Sequence, residues 1–236
     1  MILIVIYLLA VHRVCAQNYE HTENSELNFA LNNATESSEW DPWEPFNEKV
    51  FWFNREVDHL LLKPVATAYN AVLPNPVKKS IANALDNLDV VRRLVNNILQ
   101  LKIGGAGREV TRFAINSTLG IGGLLDVADH FKIEPSDKDT GQTLGIYGIR
   151  PGPYLVLPFL PPLTVRDLFG YIADDAMYPL DYFIPLGAVL GISATERISE
   201  RAYTLDKFER LEETTVDLYS AVRNAYFQKR EADISE

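Results

Sequence analysis

Gly141–Asp167 reads GQTLGIYGIRPGPYLVLPFLPPLTVRD, and what this stretch can be decides the fold. It is strongly apolar, yet it carries Gly141, Gly145, Gly148 and Gly152 together with Pro151, Pro153, Pro158, Pro161 and Pro162. A spanning helix needs ~20 apolar residues without such breaks, and an interior proline costs a helix about 3 kcal/mol. A water-facing loop would be polar. Irregular backbone in apolar company must therefore be packed inside protein or line a cavity. Composition leaves two readings open: a proline-rich turn buried between helices, or chain that lines a cavity.

Outward from this stretch the period is 3.6 wherever there is one, and strands are hard to find. Asp41, Pro42 and Glu44 look like an N-cap, a first helical residue and a capping-box carboxylate. Phe46, Val50, Phe53, Val57 and Leu60 follow at helical spacing. Phe51, Trp52 and Leu61 widen that stripe, so the helix is either deeply buried or touching lipid. Pro64 is expected to end or kink it. From Pro76 a helical rhythm runs to about Lys102, with Asp86-Asn87 or Asp89 as possible breaks. Gly104-Gly105-Ala106-Gly107 reads as a loop before a helix through Val110 and Phe113, and Leu124–Phe131 as one short helix. Thr164 with Asp167 caps another helix. Tyr178–Ile192 is apolar but broken by Pro179, Pro185, Gly187 and Gly191, a re-entrant or packed segment. Ser193-Ala194-Thr195-Glu196 reads as a capping box opening a charged helix to about Glu213. Thr214 or Thr215 should cap the last helix, which ends in a charged tail.

The 22 basic and 32 acidic residues leave a net charge of −10, which argues against nucleic acid as a partner. The positive balance within residues 76–112 is a local exception, either a solvated helix face or cations that meet phosphate headgroups. Arg92 and Arg93 are the candidates for the second role. One cysteine, Cys15, excludes an internal disulfide framework and a cysteine zinc site. The glycines near 104 and 120 lack a following Gly-Lys-Ser/Thr, so nucleotide binding is rejected. His12, His21, His59 and His130 form no metal-binding pair, and no nucleophile–base set stands out. The chain is therefore read as a non-enzyme without cofactor or metal.

Met1–Val11 is a short apolar run of the kind found in an export signal. Cleavage after Ala16 and lipidation of Cys15 are competing outcomes. Residues 1–16 are taken as the signal, 17–39 as a flexible polar tether with a reach of about 25–30 Å, 40–230 as the folded domain and 231–236 as a tail.

Several ordered blocks are similar to the MlaA/VacJ family. They include Asp41-Pro42-Trp43-Glu44-Pro45-Phe46-Asn47, Arg112-Phe113-Ala114-Ile115-Asn116-Ser117, Gly141-Gln142-Thr143-Leu144-Gly145 and Gly152-Pro153-Tyr154-Leu155-Val156-Leu157-Pro158. Asp217-Leu218-Tyr219 and Arg223-Asn224-Ala225-Tyr226-Phe227-Gln228 close the series, which covers about Trp40 to Arg230. The resemblance implies an all-α, ring-shaped domain of amphipathic helices around a central lipid channel, with Gly/Pro-rich apolar connections. It implies a seat in the periplasmic leaflet of a Gram-negative outer membrane. It also implies removal of mislocalised phospholipid from the outer leaflet to a soluble periplasmic carrier, association with a trimeric porin, and no catalytic residues. Within that reading Phe53, Asn54, Tyr147, Pro151, Gly152, Pro153 and Tyr154 are candidates for lining or gating the channel. The competing classes are a soluble periplasmic helical binding or scaffold protein, whose apolar stretches are only core, and a lipase-like enzyme.

Overall fold

The structure, a computed structural model, describes residues 41–235. Residues 1–40, which include Cys15, Trp40 and the stretches expected as export signal and tether, lie outside the described residues. The architecture is all-helical apart from one two-residue strand pair.

Helix α1 spans Glu44–Val57 with Pro45 in its first turn. The cap differs from the sequence expectation. Asp41 Oδ1 accepts from Trp43 N (3.2 Å) and Asn47 Nδ2 (2.9 Å), and Tyr219 and Arg223 engage its other oxygen, so tertiary partners claim the carboxylate. The break expected at Pro64 is there: α1 gives way just before it, and a new helix takes Pro64 into its first turn. Asp58–Leu62 forms a π-turn, with Lys63 N bonding Asp58 O, and α2 follows directly as Lys63–Val72. The wider turn frees the carbonyl four residues before Pro64 from a donor that proline lacks. Helix α3 (Asn75–Leu88) breaks at Asp89 and α4 covers Val90–Leu99.

Helix α5 spans Ile103–Thr118 and takes in the glycine run that sequence assigns to a loop. The reason is close packing: a Cβ on Gly105 would lie 1.9 Å from Asn97 Oδ1. Absence of a side chain lets α5 press on α4, and the tertiary contact overrides glycine's poor helix propensity. The short α6, Val127–His130, is capped by Asp126. Helix α7, Thr140–Ile146, is capped by Asp139, so the first residues of the decisive stretch are helical. Irregular chain begins only at Tyr147. Strand β1 (Tyr154–Leu155) pairs antiparallel with β2 (Leu163–Thr164), and α8 (Val165–Ala176) starts under the expected Thr164 cap. Gly170 crosses Gly141 so closely that a Cβ would lie 2.4 Å from the Gly141 nitrogen.

A 3-10 turn at Pro179–Tyr182 leads to α9, Leu186–Thr214. The capping box assigned to Ser193 does not open this helix. Ser193 and Thr195 donate to the carbonyls of Val189 and Gly191 inside a helix already running. Helix α10, Leu218–Ser235, is capped by Asp217 rather than Thr214 or Thr215, and it continues through the residues expected as tail.

Burial is inverted. Among the described residues, 25 polar or charged residues are buried against 15 hydrophobic ones, while 30 large hydrophobics are exposed. Single exposed leucines are ordinary on a protein surface; this balance is not. Ile121 and Leu101 show the pattern at its sharpest. Both hold left-handed backbone (φ 54° and 57°) and both point outward, 66% and 83% exposed. Such backbone is costly for a non-glycine residue, above all for a β-branched one. No helix among the described residues is long and apolar enough to cross a membrane.

Candidate functional site

Two asparagines seven residues apart on one face of α1 hold the irregular segment. Asn47 donates to Tyr154 O (3.0 Å) and accepts from Val156 N (2.9 Å). Asn54 donates to Leu157 O (2.9 Å) and accepts from Phe159 N (2.7 Å). Each side-chain amide acts as a piece of missing strand, satisfying backbone groups that irregular chain would otherwise leave unpaired. An aromatic cluster of Phe51, Tyr154, Tyr219, Tyr226 and Phe227 locks this seam against α10.

The segment so fixed walls two cavities. The first, about 670 Å³, is apolar and lies among α1, α2, the 156–162 segment and α9, with Val57, Leu61, Val156, Leu160, Leu190 and Ile198 in its lining. Arg201 grips Asp58 through two 2.7 Å bonds at its wall, tying α9 to the π-turn. The second, about 340 Å³, is charged: Asp137, Asp139, Asp167, Asp174 and Asp233 face Arg92, Lys229 and Arg230. Pro161, Pro162 and Val222 line both. An apolar chamber and a charged one thus adjoin across two prolines and a valine. Among the described residues, no group of three or more His, Cys, Asp or Glu is placed to hold a metal ion.

Helix termini and α10 set the charges. Arg230, on α10, bonds Asp139 at the start of α7 (2.6 and 3.1 Å) and Asp167 at the start of α8 (2.8 Å). Burial by itself would raise the Asp167 carboxyl. Arg230, Arg166 and the Tyr226 hydroxyl more than offset it and hold the group down at about 2. For Asp137 burial outweighs the pull of Arg92, Lys229 and Arg93, and pushes it up to about 7. Burial likewise raises Asp174 and Asp233, with Asp139 adding repulsion to both.

This shift has a stability consequence. The folded-state value of Asp137 lies above its unfolded value of about 3.9. The native state therefore holds an extra proton between those limits, and stability falls as pH rises through that window. Above pH 7 the full cost of the buried charge is present. Asp137→Asn is expected to stabilise the protein by about 1–3 kcal/mol at pH 8 and to leave it unchanged below pH 4. Denaturant unfolding of both proteins at the two pH values checks this.

The structure sorts the residues singled out from sequence. Asn54 lines the apolar cavity, and Phe53 stacks edge-on against Phe159, which also lines it. Tyr154 is fully buried in the aromatic seam and lines neither cavity. Tyr147 is exposed, with its hydroxyl on Leu99 O. Pro151 and Pro153 give their carbonyls to Arg166 N and Val165 N, and Gly152 supplies a positive φ of 72° between them. These three shape the turn before α8 and also lie outside both cavity walls. Arg92 lines the charged cavity, whereas Arg93 is paired with Asp86 and Glu109 between helices. Both guanidiniums are buried. Burial opposes their charge, but facing carboxylates, led by Asp89 for Arg92 and Asp86 for Arg93, hold them protonated above the usual range. Cys15 lies outside the described residues. Sequence reasoning missed Asn47, Val222, Lys229 and Arg230. Asn47 and Asn54 sit at heptad spacing beside the apolar stripe, each following one of its members, Phe46 and Phe53, which is a usable signal; the α10 residues carry none.

A model of the MlaA lipoprotein family matches residues 39–233. A protein of Rickettsia conorii (strain ATCC VR-613 / Malish 7) is 39% identical over 197 residues, 83% of this chain and 78% of that one. The intermembrane phospholipid transport system lipoprotein MlaA of Escherichia coli (strain K12) is 36% identical over 195 residues, 81% of this chain and 77% of that one. A solved structure described as the structural basis for maintenance of bacterial outer membrane lipid asymmetry aligns with a TM-score of 0.74 and 35% identity. It covers 83% of this chain and 100% of that one.

Proposed function

The chain belongs to the MlaA lipoprotein family, and from that premise we propose that it removes mislocalised phospholipid from the outer leaflet of the outer membrane. The lipid passes through the interior of the helical domain, arranged as a ring, to a soluble periplasmic carrier. The observation that carries this reading is the junction of an apolar chamber with a charged one across Pro161, Pro162 and Val222. A molecule with acyl chains at one end and a headgroup at the other fits that pairing; a purely apolar or purely polar ligand leaves half of it unmatched.

The exterior supports the same reading. Trp43, Trp52, Leu60, Leu101, Ile121 and Phe169 are exposed. In water each such side chain would forfeit about 1.5–3 kcal/mol of burial, a loss that contact with acyl chains removes. A soluble scaffold using its apolar stretches as core would bury them instead. In this reading the protein sits in the periplasmic leaflet, beside a trimeric porin, held by a lipidated Cys15. Deleting its gene tests this. Outer-leaflet phospholipid should rise and fall again when the wild-type gene is restored. Unchanged leaflet composition in the deletion strain would overturn the proposal.

A further inference from the structure

The apolar chamber is not apolar throughout. Three of its lining residues are arginines, Arg55, Arg197 and Arg201, and among the described residues one carboxylate, Asp58, lines it with them. Arg197 and Arg201 stand four residues apart on α9, which places them on one face a turn apart. Arg201 spends Nε and Nη2 on Asp58, the tie between α9 and the π-turn. Arg55 is used differently. It bonds Glu212 through Nε alone, at 2.7 Å, and its fork lies over the Trp52 ring at 5.0 Å, which fixes its direction. Among the described residues the two Nη groups of Arg55 make no hydrogen bond, on a side chain 28% exposed at the chamber wall. Holding α9 in place therefore leaves donors of Arg55 unused, and Arg197 adds a further positive charge to the same wall.

We propose that this arginine wall is a station for the phosphodiester of a glycerophospholipid, held by Arg55 and Arg197 while the acyl chains lie along Val57, Leu61, Leu190 and Ile198, an assignment that rests on the lipid-passage reading above. The chemistry selects the ligand. A guanidinium offers paired donors to phosphate oxygens, and such bonds are stronger in apolar surroundings. An uncharged lipid with the same chains fills the chamber and leaves the donors unmet. A small anion meets the donors and leaves the apolar wall bare. The wall also answers a problem that passage creates. A phosphate crossing oily protein without a partner carries a large desolvation cost, which guanidiniums along the route lower. The cations of the charged chamber, Arg92, Lys229 and Arg230, do not line this wall, so the two stations are separate. The lipid moves between them past Pro161, Pro162 and Val222.

The test is lipid capture by the full-length protein in detergent, with phosphatidylglycerol and diacylglycerol of identical chains as the two probes. The protein is incubated with each, re-isolated and assayed by lipid mass spectrometry. Arg197→Gln should lower phosphatidylglycerol capture about tenfold, the worth of one charge-assisted bond, and leave diacylglycerol capture within about twofold. Arg197→Lys, which keeps the charge without the fork, should recover about half of the phospholipid capture. Arg55→Gln should show the same selective loss, and decides the matter should Arg197→Gln fail to fold. Selective loss in neither variant, or equal loss of both probes, overturns the phosphate station while leaving lipid passage standing. Capture of neither probe by the wild-type protein overturns the passage itself and the station with it. Glycerol phosphate at millimolar concentration should not displace bound phospholipid; displacement would show a site for a soluble anion and overturn the assignment to lipid.

Discussion

Arg93→Gln is expected to destabilise the folded protein by about 3–5 kcal/mol, the cost of breaking a buried ion pair from one side. The guanidinium bonds Glu109 Oε2 at 2.7 Å, Asp86 Oδ1 at 2.7 Å and the Asp86 carbonyl at 3.0 Å, joining α3, α4 and α5. Glu109 is fully buried, and its other oxygen accepts from Ser136 N. With Arg93 gone, that carboxylate keeps the Ser136 backbone donor but loses its ion-pair partner. A loss of this size lowers the unfolding midpoint of a domain this long by roughly 10 °C. Adding Glu109→Gln should recover part of the loss, because the double substitution leaves no uncompensated charge. Thermal unfolding in detergent reads both. Unchanged stability with selective loss of lipid transfer would instead make Arg93 a headgroup ligand.

Val222→Trp should abolish lipid movement, by tenfold or more, in a protein that still folds. Val222 lies on α10 where both cavities share a wall, packed at the margin of the aromatic seam. An indole there closes the connection between acyl-chain and headgroup compartments. Its cost to the fold is that of overpacking, about 1–3 kcal/mol, partly relieved by open space on both sides. Outer-leaflet phospholipid in cells carrying only this variant should match that of the deletion strain at equal protein level. Normal leaflet composition would mean that lipid takes another route.

The helices were legible because hydrophobic periodicity is local. Phe46, Val50, Phe53 and Val57 mark α1, and Thr164 with Asp167 marks the start of α8, as the structure has it. Misreadings arose where a tertiary contact overruled local chemistry. Gly105 is helical because Asn97 lies against it. Asp217 takes the cap expected at Thr214 or Thr215. The site was harder to read. The Gly/Pro stretch singled out from sequence does wall both cavities, but it does so through Pro161 and Pro162 and not through the turn residues Pro151, Gly152 and Pro153. Proline content cannot say which proline faces a void. Arg92 and Arg93 are adjacent in sequence yet point to different surroundings, a distinction set by α3, α5 and α8 packing around them. Lys229 and Arg230 join the charged cavity only because α10 returns across the starts of α7 and α8.

That the oily exterior faces lipid is the claim on which the rest depends, and Trp43 and Trp52, both exposed on α1 and its cap, can report on it. With Trp40 replaced by Phe, the protein is reconstituted into vesicles and its tryptophan fluorescence is measured against two quenchers. Lipids brominated on the acyl chains should quench strongly and aqueous iodide weakly. Strong iodide quenching with no effect of the brominated lipids would contradict the account.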